Sequence, residues 1–146
     1  MRNHAIAVSI LSGLFLLAAA TPGQAQQPLR VKIPFDFVAD KVTLPAGEYT
    51  VQPSRDGSPA LIVQSIDGRA GAAAIVLTNA VEANDWKSKN CLIFRAYGER
   101  YFLSEMWTAG ARRGRQFRTS PIERELAKNE TSHEVILMAS LQEPKR

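Results

Sequence analysis

Cys91-Leu92-Ile93-Phe94-Arg95-Ala96-Tyr97-Gly98-Glu99-Arg100-Tyr101-Phe102-Leu103-Ser104-Glu105-Met106-Trp107 reads as two β-strands folded about Gly98-Glu99. Glycine in the first central position is the pattern of a type II′ turn, whose twist matches that of the strands it joins. Pairing Tyr97 with Arg100 sets Leu92, Phe94 and Ala96 on one face with Tyr101, Leu103 and Glu105. The other face then carries Ile93, Arg95 and Tyr97 with Phe102, Ser104 and Met106. Both faces hold large apolar side chains, so the hairpin is expected at the centre of the fold, covered on both sides.

Strand patterns extend in both directions from this unit. Upstream, Val31, Ile33, Phe35 and Phe37 alternate with Lys32, Pro34 and Asp36, as in a strand with one buried face. Pro34 cannot donate to a ladder and marks an edge or a bulge. Residues 44–51 read as a Pro-Ala-Gly turn feeding a second strand, residues 53–59 as another turn, and residues 61–66 as a third strand. Asp67-Gly68 predicts a two-residue type I′ hairpin, after which residues 72–78 return antiparallel. Residues 79–90, polar with Trp86 in the middle, read as a loop.

Downstream, Ser120-Pro121-Ile122-Glu123 is a capping box with proline at the first helical position, opening a helix near residues 121–129. So short a helix needs Ile122 and Leu126 to dock it on the sheet. Residues 134–140 read as a closing strand. The expected class is mainly β, an antiparallel barrel-like sheet or sandwich of about 7–8 strands with one short helix in the C-terminal half.

The N-terminus has the layout of a secretory signal peptide over residues 1–25: positive Arg2, an apolar run over residues 5–20, then small residues at Gly23 and Ala25. Cleavage between Ala25 and Gln26 is expected, because the apolar run falls short of the ~20 residues that cross a bilayer as a helix. Residues 26–146 then form a single exported β domain, periplasmic or extracellular, with no stretch apolar enough to be a transmembrane helix. The one cysteine, Cys91, permits no internal disulfide, and none stands where lipidation would need it.

Charge is uneven along the chain. Residues 26–110 hold nine basic and nine acidic side chains, and residues 119–146 hold four against five. Between them Arg112, Arg113, Arg115 and Arg118 stand without an acid. The basicity of the chain is therefore local.

Four blocks carry a resemblance: Val31-Lys32-Ile33-Pro34-Phe35-Asp36-Phe37, residues 44–51, Tyr101-Phe102-Leu103-Ser104-Glu105-Met106-Trp107, and Ser120 with Glu123-Arg124-Glu125-Leu126-Ala127. With them the chain resembles a family of small secreted bacterial β-rich proteins to which no activity is attached. The resemblance implies export and a β-rich domain, and no chemistry. Members tend to have a Leu-Pro-like pair before the serine, where this chain has Phe117-Arg118-Thr119.

Candidate sites follow from residue type. Four guanidinium groups within seven residues can grip phosphate or carboxylate groups bidentately, so Arg112, Arg113, Arg115 and Arg118 are the candidate binding set. Export and the single interleaved aromatic, Phe117, argue against nucleic acid and for an anionic envelope polymer or lipid. The plain alternative is a solvated loop whose arginines pair with Glu123, Glu125 and Glu130. Glu105, on an otherwise apolar face, is a candidate for a structural ion pair with an arginine. Tyr97, Tyr101, Phe102 and Trp107 fill the core, or else line a cavity for a small apolar ligand. Cys91 and His133 are too few for a histidine- or cysteine-rich metal site, and the strand position of Cys91 predicts a buried inert thiol. No catalytic set and no cofactor motif is visible, so the expectation is a non-enzymatic binding or structural domain of the cell envelope, with a carrier of a small apolar ligand as the alternative.

Overall fold

The computed structural model describes residues 27–55, 57–68, 72–82 and 89–143. The expected signal peptide, its expected cleavage position and Trp86 lie outside the described residues. Eleven strands and one helix are described: β1 (Leu29–Ile33), β2 (Phe37–Ala39), β3 (Val42–Leu44), β4 (Gly47–Pro53), β5 (Ala60–Ser65), β6 (Ala73–Glu82), β7 (Cys91–Tyr97), β8 (Arg100–Trp107), β9 (Arg113–Phe117), α1 (Pro121–Leu126), β10 (His133–Met138) and β11 (Ser140–Leu141). No described helix is long and apolar enough to cross a membrane.

The strands form one sheet in the order β10-β7-β8-β9-β6-β5-β4-β1-β11, with β2 and β3 attached beside β8. It is mixed, because β2 runs parallel to β8 while the other pairs are antiparallel. The long β6 is its corner: residues 73–77 pair with β5 and residues 78–82 with β9. Side chains from both sides of that corner enclose one core, with Leu29, Val51 and Leu61 facing Leu92, Phe94 and Met106. The sheet is not a closed barrel. Its end strands β10 and β11 follow each other with Ala139 between them, yet β10 pairs with β7 and β11 with β1. The β-rich class is as expected; the strands are more numerous, and the sheet is mixed instead of purely antiparallel.

Several local readings change. The stretch expected as one strand over residues 31–37 is two, because Pro34 lacks the N–H that would extend the β1–β4 ladder. The bend it causes is held by Asp36 Oδ1, which accepts from the Ala46 N–H at 2.9 Å. The chain then leaves β4 and re-pairs as β2. Asp67-Gly68 makes no type I′ turn: Gly68 has φ +64°, but Asp67 is not in the left-handed region, and the β5–β6 ladder ends at Gln64 and Ala73. Asn79 through Glu82 belong to β6 and not to a loop.

The central hairpin turns where expected, with Tyr97 opposite Arg100 and Gly98 at φ +57°. Its faces differ from strict alternation beyond Ser104. Leu103 pairs with Phe94 and Glu105 with Ile93, leaving Ser104 as a bulge. The extra residue turns Met106 into the core beside Leu103 and carries Glu105 to the outer face. Unbroken alternation would bury a carboxylate among phenylalanines and expose a methionine, which desolvation disfavours. The bulge also separates two neighbours on the same edge of β8: β2 pairs at Tyr101 and Phe102, and β9 at Glu105 and Met106.

Helix α1 closes the outer face of the hairpin. Ser120 Oγ accepts from the Glu123 N–H at 3.1 Å, the expected cap. Leu126 packs on Val38, Tyr97 and Phe102, but Ile122 is exposed. The side chain that docks in its place is Glu123, buried and accepting from Arg95 Nη1 at 3.1 Å, with Tyr97 Oη at 3.5 Å. The helix stops at Leu126, short of the expected residue 129, and continues as a turn.

Tyr49 ties β4 to the turn before it by donating from Oη to the Pro45 carbonyl. Burial first, then the charges of Asp36 and Asp67, push its phenol above the ordinary range. The folded state thus favours the protonated phenol. That contribution is complete below the unfolded value of about 10 and is lost as pH rises through the higher folded value. Tyr49→Phe is expected to cost about 1 kcal/mol at neutral pH through the lost hydrogen bond, and to flatten the decline in stability above about pH 10. Urea unfolding across that range checks it; an unchanged alkaline slope would count against the assignment.

Candidate ligand-binding site

The arginine run is a strand and the turn before it, not a solvated loop. Residues 108–111 turn with Gly110 at φ +76°, closed by the Ala111 N–H donating to the Thr108 carbonyl at 3.1 Å. Asn90 Oδ1 holds the turn by accepting from the Ala109 N–H at 2.8 Å. Residues 113–117 then pair with β6, Glu82 opposite Arg113 and Thr78 opposite Phe117. Strand alternation sorts the side chains: Arg113, Arg115 and Phe117 share one face, Gly114 and Gln116 the other.

Phe117 enters the core. Arg113 and Arg115, on the same face nearer the strand's start, line a cavity of about 620 Å³ at that end of the sheet. Leu29, Val51, Met106 and Leu141 line it too, the first three being buried core side chains. The cavity is therefore the end of the core left open, with two guanidinium groups at its wall.

The two arginines are not equivalent. Arg113 pairs with its cross-strand neighbour Glu82 at 3.2 Å, with both side chains largely in water, a contact of small energetic weight. Arg115 is half-buried, and no carboxylate lies within ion-pair distance of it among the described residues. Arg118 lies five residues beyond Arg113, about 17 Å along the strand, in a separate recess. Arg112 is exposed ahead of β9. The four arginines that cluster in sequence are thus distributed over different surfaces.

The pairing expected with Glu123, Glu125 and Glu130 is replaced by other partners. Arg95 takes Glu123, Lys128 takes Glu125 at 2.8 Å, and Glu82 takes Arg113. The partner shown for Glu105 is Trp107, whose Nε1–H donates to Oε2 at 2.7 Å. The aromatic set fills hydrophobic core, as expected, and none of the four lines the end cavity. Tyr101 stacks on Phe35 at 3.8 Å, and Tyr97 and Phe102 meet edge to face under α1. Trp107 lies with Cys91 and Ile93 on the outer face.

Cys91 is buried, and β7 separates it from His133. Cys91 pairs with Met138 and Ala96 with His133, a distance of about 17 Å along the ladder. They form no nucleophile–base pair. Among the described residues no group of three His, Cys, Asp or Glu side chains could hold a metal.

Of the four arginines singled out in the sequence, Arg113 and Arg115 line the cavity, whereas its floor carries no sequence signal. Leu29, Val51 and Leu141 meet there only through the β1–β4 and β1–β11 pairings, a nonlocal arrangement that no local pattern signals. Comparison with known proteins gives no further guide: no protein family, no curated protein and no solved structure matches the chain. The site rests on its own chemistry.

Proposed function

We propose that the chain is an exported, non-enzymatic β domain that binds an amphipathic anion in the end cavity. The observation that carries this reading is Arg115, a half-buried residue without a carboxylate in ion-pair distance among the described residues, set in a wall shared with Leu29, Val51 and Met106. A partly desolvated cation without a partner is unfavourable, and a carboxylate or phosphate from a ligand supplies a charge-assisted bidentate contact. The floor suits a hydrocarbon tail, and the volume falls in the range of small-molecule sites. The N-terminal layout of residues 1–25 supports export.

Dodecanoate is expected to bind at least about tenfold more tightly than dodecanol at low salt, the size of one charge-assisted hydrogen bond. Arg115→Gln should remove the difference while leaving the alcohol's affinity unchanged. The apolar floor also favours a second reading, a carrier of an uncharged apolar molecule. Equal affinities for acid and alcohol would select that carrier, and absence of binding by both would end the cavity's role.

A further inference from the structure

We propose that the recess at the far end of β9 is a second, independent binding site, for a phosphate monoester. It has a volume of about 570 Å³ and is bounded by three cationic side chains from three separate elements. Lys41 comes from the β2–β3 turn, Arg118 from the end of β9, and Arg124 from α1. Lys41 and Arg124 are held by local structure. Asp40, the one non-glycine described residue in the left-handed region, at φ +56°, forms the tight turn that carries Lys41. The Ser120 cap and the Glu123–Arg95 pair fix the helix that carries Arg124.

The charge of the recess is unbalanced. Arg30, Arg95, Arg113 and Lys128 each have a carboxylate within ion-pair distance, whereas Lys41, Arg118 and Arg124 have none among the described residues. Asp40 also lines the recess but lies beyond ion-pair distance of all three. Three positive charges against one negative leave a net charge of +2. Asn79 and Gln116, opposite each other across the β6–β9 ladder, add neutral amide donors, and Thr119 adds a hydroxyl. A phosphate monoester carries roughly −1.5 to −2 at pH 7 with three acceptor oxygens, and so matches both the charge and the spread of donors. A sulfate ester or a carboxylate carries a single charge and leaves one cation unmatched.

The site does not depend on the end cavity. Calorimetric titration of the full chain at low salt with phenyl phosphate and phenyl sulfate is the test. The phosphate is expected to bind at least about tenfold more tightly, with affinity falling as salt rises. The double variant Arg118→Gln/Arg124→Gln should lose that advantage, while Arg115→Gln keeps it. Both arginines are exposed, so the double variant should keep its melting temperature; if it unfolds, Lys41→Gln makes the same test. Sedimentation with phosphatidic acid vesicles separates the sources. Adhesion lost in the double variant points to a lipid headgroup, and phenyl phosphate binding without adhesion points to a soluble monoester; either upholds the site. Equal affinity for both esters, binding unchanged in the double variant, or no binding to either probe would overturn it.

Discussion

Gly114→Val is expected to destabilise the domain by about 3 kcal/mol, lowering the melting temperature by roughly 10 °C. A Cβ on Gly114 would stand 2.7 Å from Trp107 Cε2 and 2.8 Å from Cδ2 and Cζ2, inside the contact distance of any carbon pair. The indole has nowhere to retreat. It is 2 % exposed, packed with Cys91 and Ile93, and its Nε1–H is fixed on Glu105. Glycine is thus required here for close packing of β9 beneath the ring and not for its backbone freedom. Urea unfolding of Gly114→Val alone and in a Trp107→Leu background separates the causes. The cost should shrink by more than half once the ring is gone; an equal cost in both backgrounds would assign it to strand propensity instead.

Glu123→Ala is expected to cost about 3 kcal/mol, because it leaves Arg95 on the covered face of the hairpin without its counter-charge and Tyr97 Oη without an acceptor. The side chains of Glu123 and Arg95 are 4 % and 29 % exposed, so the partial access of Arg95 to water places the cost at the lower end for a broken buried pair. Replacing both, as Glu123→Leu with Arg95→Met, should restore most of the loss, since two apolar side chains need no partners. A double-mutant cycle with a coupling near zero would mean that α1 is held by Leu126 alone. The same residue also marks the helix start, and its two roles use different atoms: the backbone N–H goes to Ser120, the carboxylate to β7.

These two positions show where local pattern stops. Gly114 reads in the sequence as a spacer among arginines, and Glu123 as half of a capping box. Each is decided by a side chain far along the chain or on another strand, Trp107 for one and Arg95 for the other. The bulge at Ser104 belongs with them. Strict alternation assigns Glu105 to the core and Met106 to the outside, and the reverse holds because the competition between burying a carboxylate and burying a thioether is settled only when both faces of the hairpin are covered. The candidate site divides the same way. The arginine cluster is plain in the sequence, but whether its members act together depends on the conformation of residues 113–117. As a strand, that segment turns Arg113 and Arg115 towards the end cavity and puts Arg118 in another recess.

What the sequence by itself determined are features that depend on neighbours along the chain, although not all of them, since the Asp67-Gly68 turn and the helix end differ from their local patterns. The β-rich class, the Gly98-Glu99 turn with Tyr97 opposite Arg100 and the capped helix start at Ser120 all follow from dihedral preference, a local cap or a period of two. Only the tertiary structure decided the strand order, the corner at β6, the parallel β2–β8 pair and the cavity where Leu29, Val51 and Arg115 meet. Those rest on contacts between residues far apart in sequence, whose formation reflects the joint burial of many side chains at once, and no short window of residues contains that information.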